Sequence, residues 1–290
     1  MTDRIVKKSE IVRNLKAQMF LTFCLLSVFI GLGTLFVLLA DVLVRGLSSL
    51  DISFLTSFPS RFPERAGIKS AIYGSIWMMV LTAFFSIPIG VGAAIYLEEY
   101  SKRNALTSLI KTNISNLAGV PSIVYGILGL VIFVRALSFN RSLLSGSLTM
   151  ALLVMPIIIV ASRESIKAVP RSFREASLAL GATRWQTIRR VVIPSSVAGM
   201  ITGIILALSR AIGETAPLIM IGALTFIAFV PEGPMSPFTV LPIQIFNWVS
   251  RPQAGFHEKA AAAIVVLLAF VFTLNIIATI IRNLFEKPKY

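Results

Sequence analysis

Six apolar stretches divide this chain, near 20–44, 70–97, 114–134, 143–162, 194–229 and 260–281, with shorter polar segments between them. Each is about 18 residues or longer, enough for a helix to cross a hydrocarbon core about 30 Å thick. The pattern predicts an all-α integral membrane protein of six transmembrane helices. Residues 1–19 form a leading segment, 20–285 the transmembrane unit, 163–193 a charged loop within it, and 286–290 a tail.

Composition agrees with that reading. Of the 290 residues, 56% are hydrophobic and only 14% charged, and the mean hydropathy is +0.85. Soluble domains carry about 25% charged residues. The net charge of +14 raises the question of nucleic acid, but its distribution follows membrane topology instead. With alternating spans, 18 of the 27 lysines and arginines fall on the side of the amino terminus, 8 on the other, and Arg210 within a span. Both termini are therefore expected in the cytoplasm. The first apolar run is longer than the core of a secretory signal and leads into no small-residue cleavage site, so it reads as a retained anchor.

Several chemistries are disfavoured. One cysteine, Cys24, cannot form an intrachain disulfide, and with one histidine, His257, a clustered Cys/His zinc centre is not expected. No phosphate-cradling G-x-x-x-x-G-K-[ST] occurs. Any ATP chemistry must come from a partner. The lone histidine is expected in an outside loop while Asp3, Asp41 and Asp51 flank the first span, so a catalytic triad is not expected.

The stretch 174–194, REASLALGATRWQTIRRVVIP, gathers charge that the chain otherwise avoids. Its pattern is that of two short helices joined by a break. Pro170 suits a first helical position, Phe173, Ala176 and Leu180 recur at helical spacing, and Gly181 suits the residue after a helix end. Thr183 is placed to cap a second helix. That helix carries Trp185 and Ile188 on one side, with Arg184, Arg189 and Arg190 elsewhere, until Pro194 opens the next span. A rigid amphipathic unit between two membrane helices can pass a push from a soluble motor into the bilayer.

These residues resemble a known loop. Glu175, Ala176, Ser177, then Gly181, Val191, Ile193 and Pro194 match the spacing E-A-A-x3-G-x9-I-x-L-P of ABC importer permeases, with Ser177, Val191 and Ile193 as conservative departures. The resemblance implies the six-span, type I importer permease architecture, with a coupling helix seated in a cleft of an ATPase subunit. Glu175, Ala176, Ser177, Leu180, Gly181 and Trp185 are the expected contacts. Three further stretches resemble permeases of phosphate-specific importers of the Pst type, the A subunit rather than its C partner. They are SIPIGVGAAIYLEEY (86–100), LAGVPSIVYGILGL (117–130) and SRAIGETAPLIM (209–220).

By this resemblance the chain needs no cofactor of its own, since ATP and Mg are bound by a homodimeric ATPase. A homologous second permease would complete the pore, and an extracytoplasmic phosphate-binding protein would deliver the cargo. The expected location is a bacterial-type inner membrane. Independently, one docking loop with no internal duplication implies half of a pathway, because two nucleotide-binding subunits each need a handle.

The fifth stretch, 194–229, is 36 residues, about 54 Å as continuous helix, and should tilt, bend or break. Gly213 and Pro217 mark the place, since Pro217 removes the hydrogen bond to the Gly213 carbonyl. Ser195, Gly199, Gly203, Ala207 and Ala211 form a small-residue row that permits close helix approach. The row drifts by about 40° per step, so Arg210 and Glu214 fall within its arc and should face protein. A buried guanidinium costs about 2.5 to 3.5 kcal/mol and must find a partner, water or substrate. Arg210 is therefore the candidate phosphate contact, with Glu214 moderating its attraction; a structural ion pair is the competing reading.

Arg163 and Glu164 are candidates for the cytoplasmic exit, or are simply solvated at a helix end. Asp41 is expected at the interface, and Pro88 and Pro121 to kink the second and third spans. The Pro-rich loop 230–259 contains LPIQIFNW with Trp248, suited to the membrane interface or to capping the pore. The reading is an ATP-driven phosphate importer's permease subunit, itself no enzyme. A permease for another oxyanion such as molybdate or sulfate, or an ion-coupled carrier, is the alternative.

Overall fold

The computed structural model describes residues 2–102, 104–223 and 226–285. The expected tail at 286–290 lies outside the described residues, as do 224 and 225 of the fifth stretch. Twelve α-helices follow one another among the described residues: α1 (Thr2–Ser48), α2 (Ile52–Thr56), α3 (Lys69–Ile95), α4 (Ala105–Leu117), α5 (Ser122–Gly129), α6 (Leu143–Lys167), α7 (Arg171–Ala179), α8 (Arg184–Thr187), α9 (Ile193–Gly213), α10 (Ala216–Ile221), α11 (Leu241–Val249) and α12 (Ala254–Phe285). Wider π turns extend α3 through Tyr96–Tyr100 and α5 through Leu130–Ala136, and join α8 to α9 through Ile188–Val192.

Five of these runs are long and apolar enough to cross a membrane, and a bent pair makes the sixth. That pair corrects the expected third span. A straight helix over 114–134 is not formed: α4 and the α5 run meet at a bend of 102°. The chain turns through Ala118–Pro121, where Pro121 sits outside α5 at its start rather than kinking a continuous helix. Gly119 and Val120 bond back to Asn116 and Leu117 at 3.0 and 3.1 Å, closing α4 with tight turns.

The packed centre is built on α3 and α6. Gly90 lets them touch, since a Cβ there would lie 2.7 Å from Ile158. Met78, Met150, Val154, Ile158, Ala207 and Phe238 form one core around this contact, joining α3, α6 and α9. A smaller core of Ala94, Ile166, Val169, Val192 and Met200 closes the end near the charged loop. By contrast α1 packs mainly along α12 and leaves Phe23, Phe29 and Phe36 at 70–73% exposed, as lipid-facing residues can be.

At the far end the LPIQIFNW segment becomes α11, and Trp248 is fully buried with Phe54 and Phe256 at ring distances of 5.9 and 6.4 Å. It is a core element. Ser75 Oγ accepts the Leu241 N–H at 2.9 Å and fixes the start of α11 against α3.

Candidate functional site

The polar chemistry gathers in two places, the loop between α6 and α9 and the break that ends α9. In the first, α7 begins after Pro170, which stands just outside the helix as its cap rather than at its first position. It ends because Gly181 takes φ +82°, a region where an L side chain costs roughly 1 to 2 kcal/mol. The Gly181 N–H donates to Leu178 O at 2.9 Å and the Ala182 N–H to Ser177 O at 3.2 Å, which together reverse the chain.

Thr183 then caps α8. Its hydroxyl accepts the Gln186 N–H, and Gln186 Oε1 accepts the Thr183 N–H at 2.8 Å. The hydroxyls of Ser177 and Thr187, 2.9 Å apart, tie α7 to α8. From Arg184 the helical run continues into α9 as one piece, and Pro194 stands at the second residue of α9. The π turn absorbs it: Ile193 donates five residues back to Ile188, and the wider spiral tolerates the N–H that Pro194 lacks.

This unit presents apolar side chains outward. Leu180 is 89% exposed at the tip, with Trp185 at 54% and Phe173 and Leu178 also exposed; Glu175 and Ala176 lie open beside them. Trp185 and Ile188 do not share a side as the spacing suggested, because Ile188 is buried while Trp185 faces out.

Two acids not singled out above organise the inner side: Glu98 ties α4 to α6, and Glu99 holds the paired helices. Glu98 Oε1 accepts from Lys111 Nζ and Arg163 Nε, both at 2.8 Å. Glu99 Oε1 accepts from Arg174 Nε and Nη2 at 3.1 and 2.8 Å, and its backbone carbonyl accepts from Arg184. Adjacent acids ending an apolar run, in a chain whose densest basic stretch lies elsewhere, were the available signal. Arg163, expected near the exit, is thus held by Glu98 with its side chain 12% exposed. Glu164 is exposed and sits 3.6 Å from Lys167.

In the second place α9 stops at Gly213 and Glu214 turns extended (φ −75°, ψ 123°). Pro217 is the second residue of α10, where a missing N–H costs nothing, rather than an interruption within a continuing helix. The small-residue row packs as helix contact: Gly199 faces Ser165 and Gly203 faces Ala161 of α6, with Ala207 and Ala211 buried. Arg210 turns away from that packed face. Its side chain is 49% exposed and its Nε lies 3.3 Å from Glu214 Oε1, while Glu214 is 19% exposed. A Cβ on Gly213 would meet open space, so the break faces a gap in this chain.

The broken ends support each other. A Cβ on Gly126 would lie 2.7 Å from Pro217 Cα, so α5 and α10 are in backbone contact, and Tyr125 Oη donates to Leu117 O at 2.8 Å across the α4–α5 bend. Two short helices, each following a break, are therefore stacked on each other, and one of them, α10, starts two residues after Glu214. Among the described residues no three His, Cys, Asp or Glu side chains come together as a metal site.

Residues 86–288 match the family described as binding-protein-dependent transport system inner membrane component, which takes in the charged loop and both breaks. The chain belongs to this family. Relatives share about a third of their residues with it almost end to end. A phosphate transport system permease protein PstA of Pasteurella multocida is 32% identical, covering 92% of this chain and 95% of that one. PstA 1 of Mycobacterium tuberculosis is 33% identical over 93% and 90%. The probable ABC transporter permease protein YqgI of Bacillus subtilis is 32% identical over 82% and 85%.

Among solved structures, a chain of a bacterial alginate ABC transporter bound to its periplasmic protein superposes with a TM-score of 0.65 at 16% identity, covering 93% and 97%. A chain of the MetNI methionine transporter, inward facing, gives 0.62 at 17% identity, covering 75% and 95%. These two speak for the fold. The family's members are membrane-embedded permeases, and the all-helical, multi-pass chain described above is an importer permease of that kind.

Proposed function

We propose that this chain is one of two permease subunits through which an ATP-driven importer moves inorganic phosphate into the cytoplasm. The observation that carries the cargo is the near end-to-end similarity to permeases named for phosphate transport, from organisms as different as Pasteurella and Mycobacterium. In this reading α7 and α8 lie in the cytoplasm and the exposed tip at Leu180, with Trp185, Glu175 and Ala176, sits on an ATPase subunit that binds ATP and Mg. Leu180 at 89% exposed, with Trp185, Phe173 and Leu178 also exposed, is the apolar surface that docking uses.

The same reading gives Arg210 and Glu214 the phosphate path, with the second permease facing the gap at Gly213. A single 3.3 Å contact leaves most of the guanidinium's donors available to an anion. Glu214 keeps that attraction weak enough for release, and its carboxylate accepts a hydrogen bond from protonated phosphate, which fully ionised sulfate cannot offer. Arg163 joins such a path only when Glu98 lets it go, with Glu164 beside it at the exit. A phosphate-binding protein delivers the cargo on the opposite face.

The test is uptake of labelled phosphate by cells that depend on this permease and its cognate subunits, with sulfate and molybdate as competitors. Uptake unaffected by tenfold excess sulfate or molybdate supports the reading. Suppression by either reassigns the cargo, and uptake that follows the ion gradient rather than ATP reassigns the class.

A further inference from the structure

We propose that Glu99 is a positioning residue for energy coupling, latching α7 through Arg174 to the ends of α3 and α6. The proposal rests on the reading that α7 docks on an ATPase. By connectivity alone α7 would be a poor lever. It hangs between Pro170 and Gly181, the first fixing only the entry of the chain and the second sitting at φ +82° in a turn.

Arg174, the fourth residue of α7, removes that freedom. Its Nη1 donates to Val169 O at 2.6 Å and its Nη2 to Ile166 O at 2.9 Å, capping carbonyls in the last turn of α6 and just past it. Its Nε and Nη2 also donate to Glu99 Oε1, at the end of α3. The arginine is 20% exposed and the glutamate 11%, so these charge-assisted bonds are only partly screened by water. One side chain of the docking helix thus grips two membrane helices.

The other half of the unit grips the same point. Arg184 of α8 donates to the Glu99 carbonyl, and its guanidinium stands 5.2 Å from the centre of the Tyr100 ring. Neighbouring residues of a helical turn point in different directions, so Glu98 can hold Lys111 and Arg163 while Glu99 holds Arg174. Motion of α7 then reaches α3 through Glu99 and α6 through the bonds that Arg174, oriented by Glu99, makes itself, as well as α9 through the chain.

The experiment uses the assembled complex in vesicles, with ATP hydrolysis and phosphate uptake measured together for wild type, Glu99→Gln and Glu99→Asp. Glu99→Gln is expected to retain the ATPase subunit on purification and to keep hydrolysing, while uptake falls at least tenfold, so that ATP consumed per phosphate rises by the same factor. Glu99→Asp keeps the charge and should recover most of the coupling; it also carries the test should the Gln variant fail to accumulate. An unchanged ATP-to-phosphate ratio in Glu99→Gln, or loss of the ATPase subunit itself, overturns the latch. Absence of ATP-driven uptake in the wild-type complex instead overturns the underlying reading, whatever Glu99 does.

Discussion

Gly126 and Pro217 are in backbone contact across the two breaks of this permease: a Cβ on the glycine would approach the proline Cα to 2.7 Å and the Met220 Cβ to 2.9 Å. Backbone cannot yield as a flexible side chain can. Gly126→Val should therefore separate α5 from α10 and destabilise the protein by about 1 to 3 kcal/mol, the usual range for overpacking. Thermal unfolding in detergent checks this, and an unchanged Tm would remove the contact from the account.

Arg210 and Glu214 make a pair that the rest of the chain leaves open on one side. Arg210→Gln is expected to abolish phosphate uptake while the ATPase subunit still co-purifies, because the residue is remote from α7. Glu214→Gln should act differently, strengthening anion retention and slowing release, so that uptake falls with a lower half-saturating phosphate concentration. Normal uptake in Arg210→Gln would make the pair a structural lock only.

The tip of the coupling unit offers a separable test. Leu180→Asp leaves the Schellman turn at Gly181 intact and removes the exposed apolar contact, so recovery of the ATPase subunit should drop at least tenfold with the permease still folded. Gly181→Ala acts through the backbone instead, placing a Cβ at φ +82° at a cost of about 1 kcal/mol, and should weaken docking less. Equal recovery of the ATPase in all three proteins would contradict docking at this tip.

Asp51 gives a pH prediction at the opposite end. Its carboxylate accepts the Phe54 N–H at 2.6 Å and caps α2, and this bond holds its pKa below the ordinary value despite the opposing effect of burial, with Ser53 Oγ adding to it. A lowered folded pKa favours the charged form, so the cap's contribution is complete above the unfolded pKa and is lost as pH falls through the folded one. Amide exchange in α2 should rise only in acid, below the ordinary carboxylate range. Asp51→Asn, which can still cap, should flatten that dependence.

Much of this arrangement was legible in the residues. Hydropathy alone places the apolar runs, and Thr183, Gly181 and the spacing around them identify the paired short helices, since caps and left-handed turns are local chemistry. The bend between α4 and α5 was only half legible: Gly119 and Pro121 mark a turn, but its sharpness depends on contacts the sequence does not show, Tyr125 on Leu117 and Gly126 on Pro217. Pro194 marks the start of α9, but the π turn that joins α8 to it without a gap was not legible. The burial of Trp248 was not legible, because composition cannot say that Phe54 and Phe256 enclose it. Glu98 and Glu99 were visible as acids, but their partners Lys111, Arg163 and Arg174 lie 13 to 75 residues away in sequence.

The central claim is that force enters this polypeptide from an ATP-hydrolysing partner through α7 and α8. Phosphate accumulation by vesicles holding this chain with its second permease, ATPase and binding protein, set against vesicles holding the permeases alone, tests it most directly. Uptake that requires both ATP and the ATPase subunit is the expected result; uptake of equal rate by the permeases alone would contradict it.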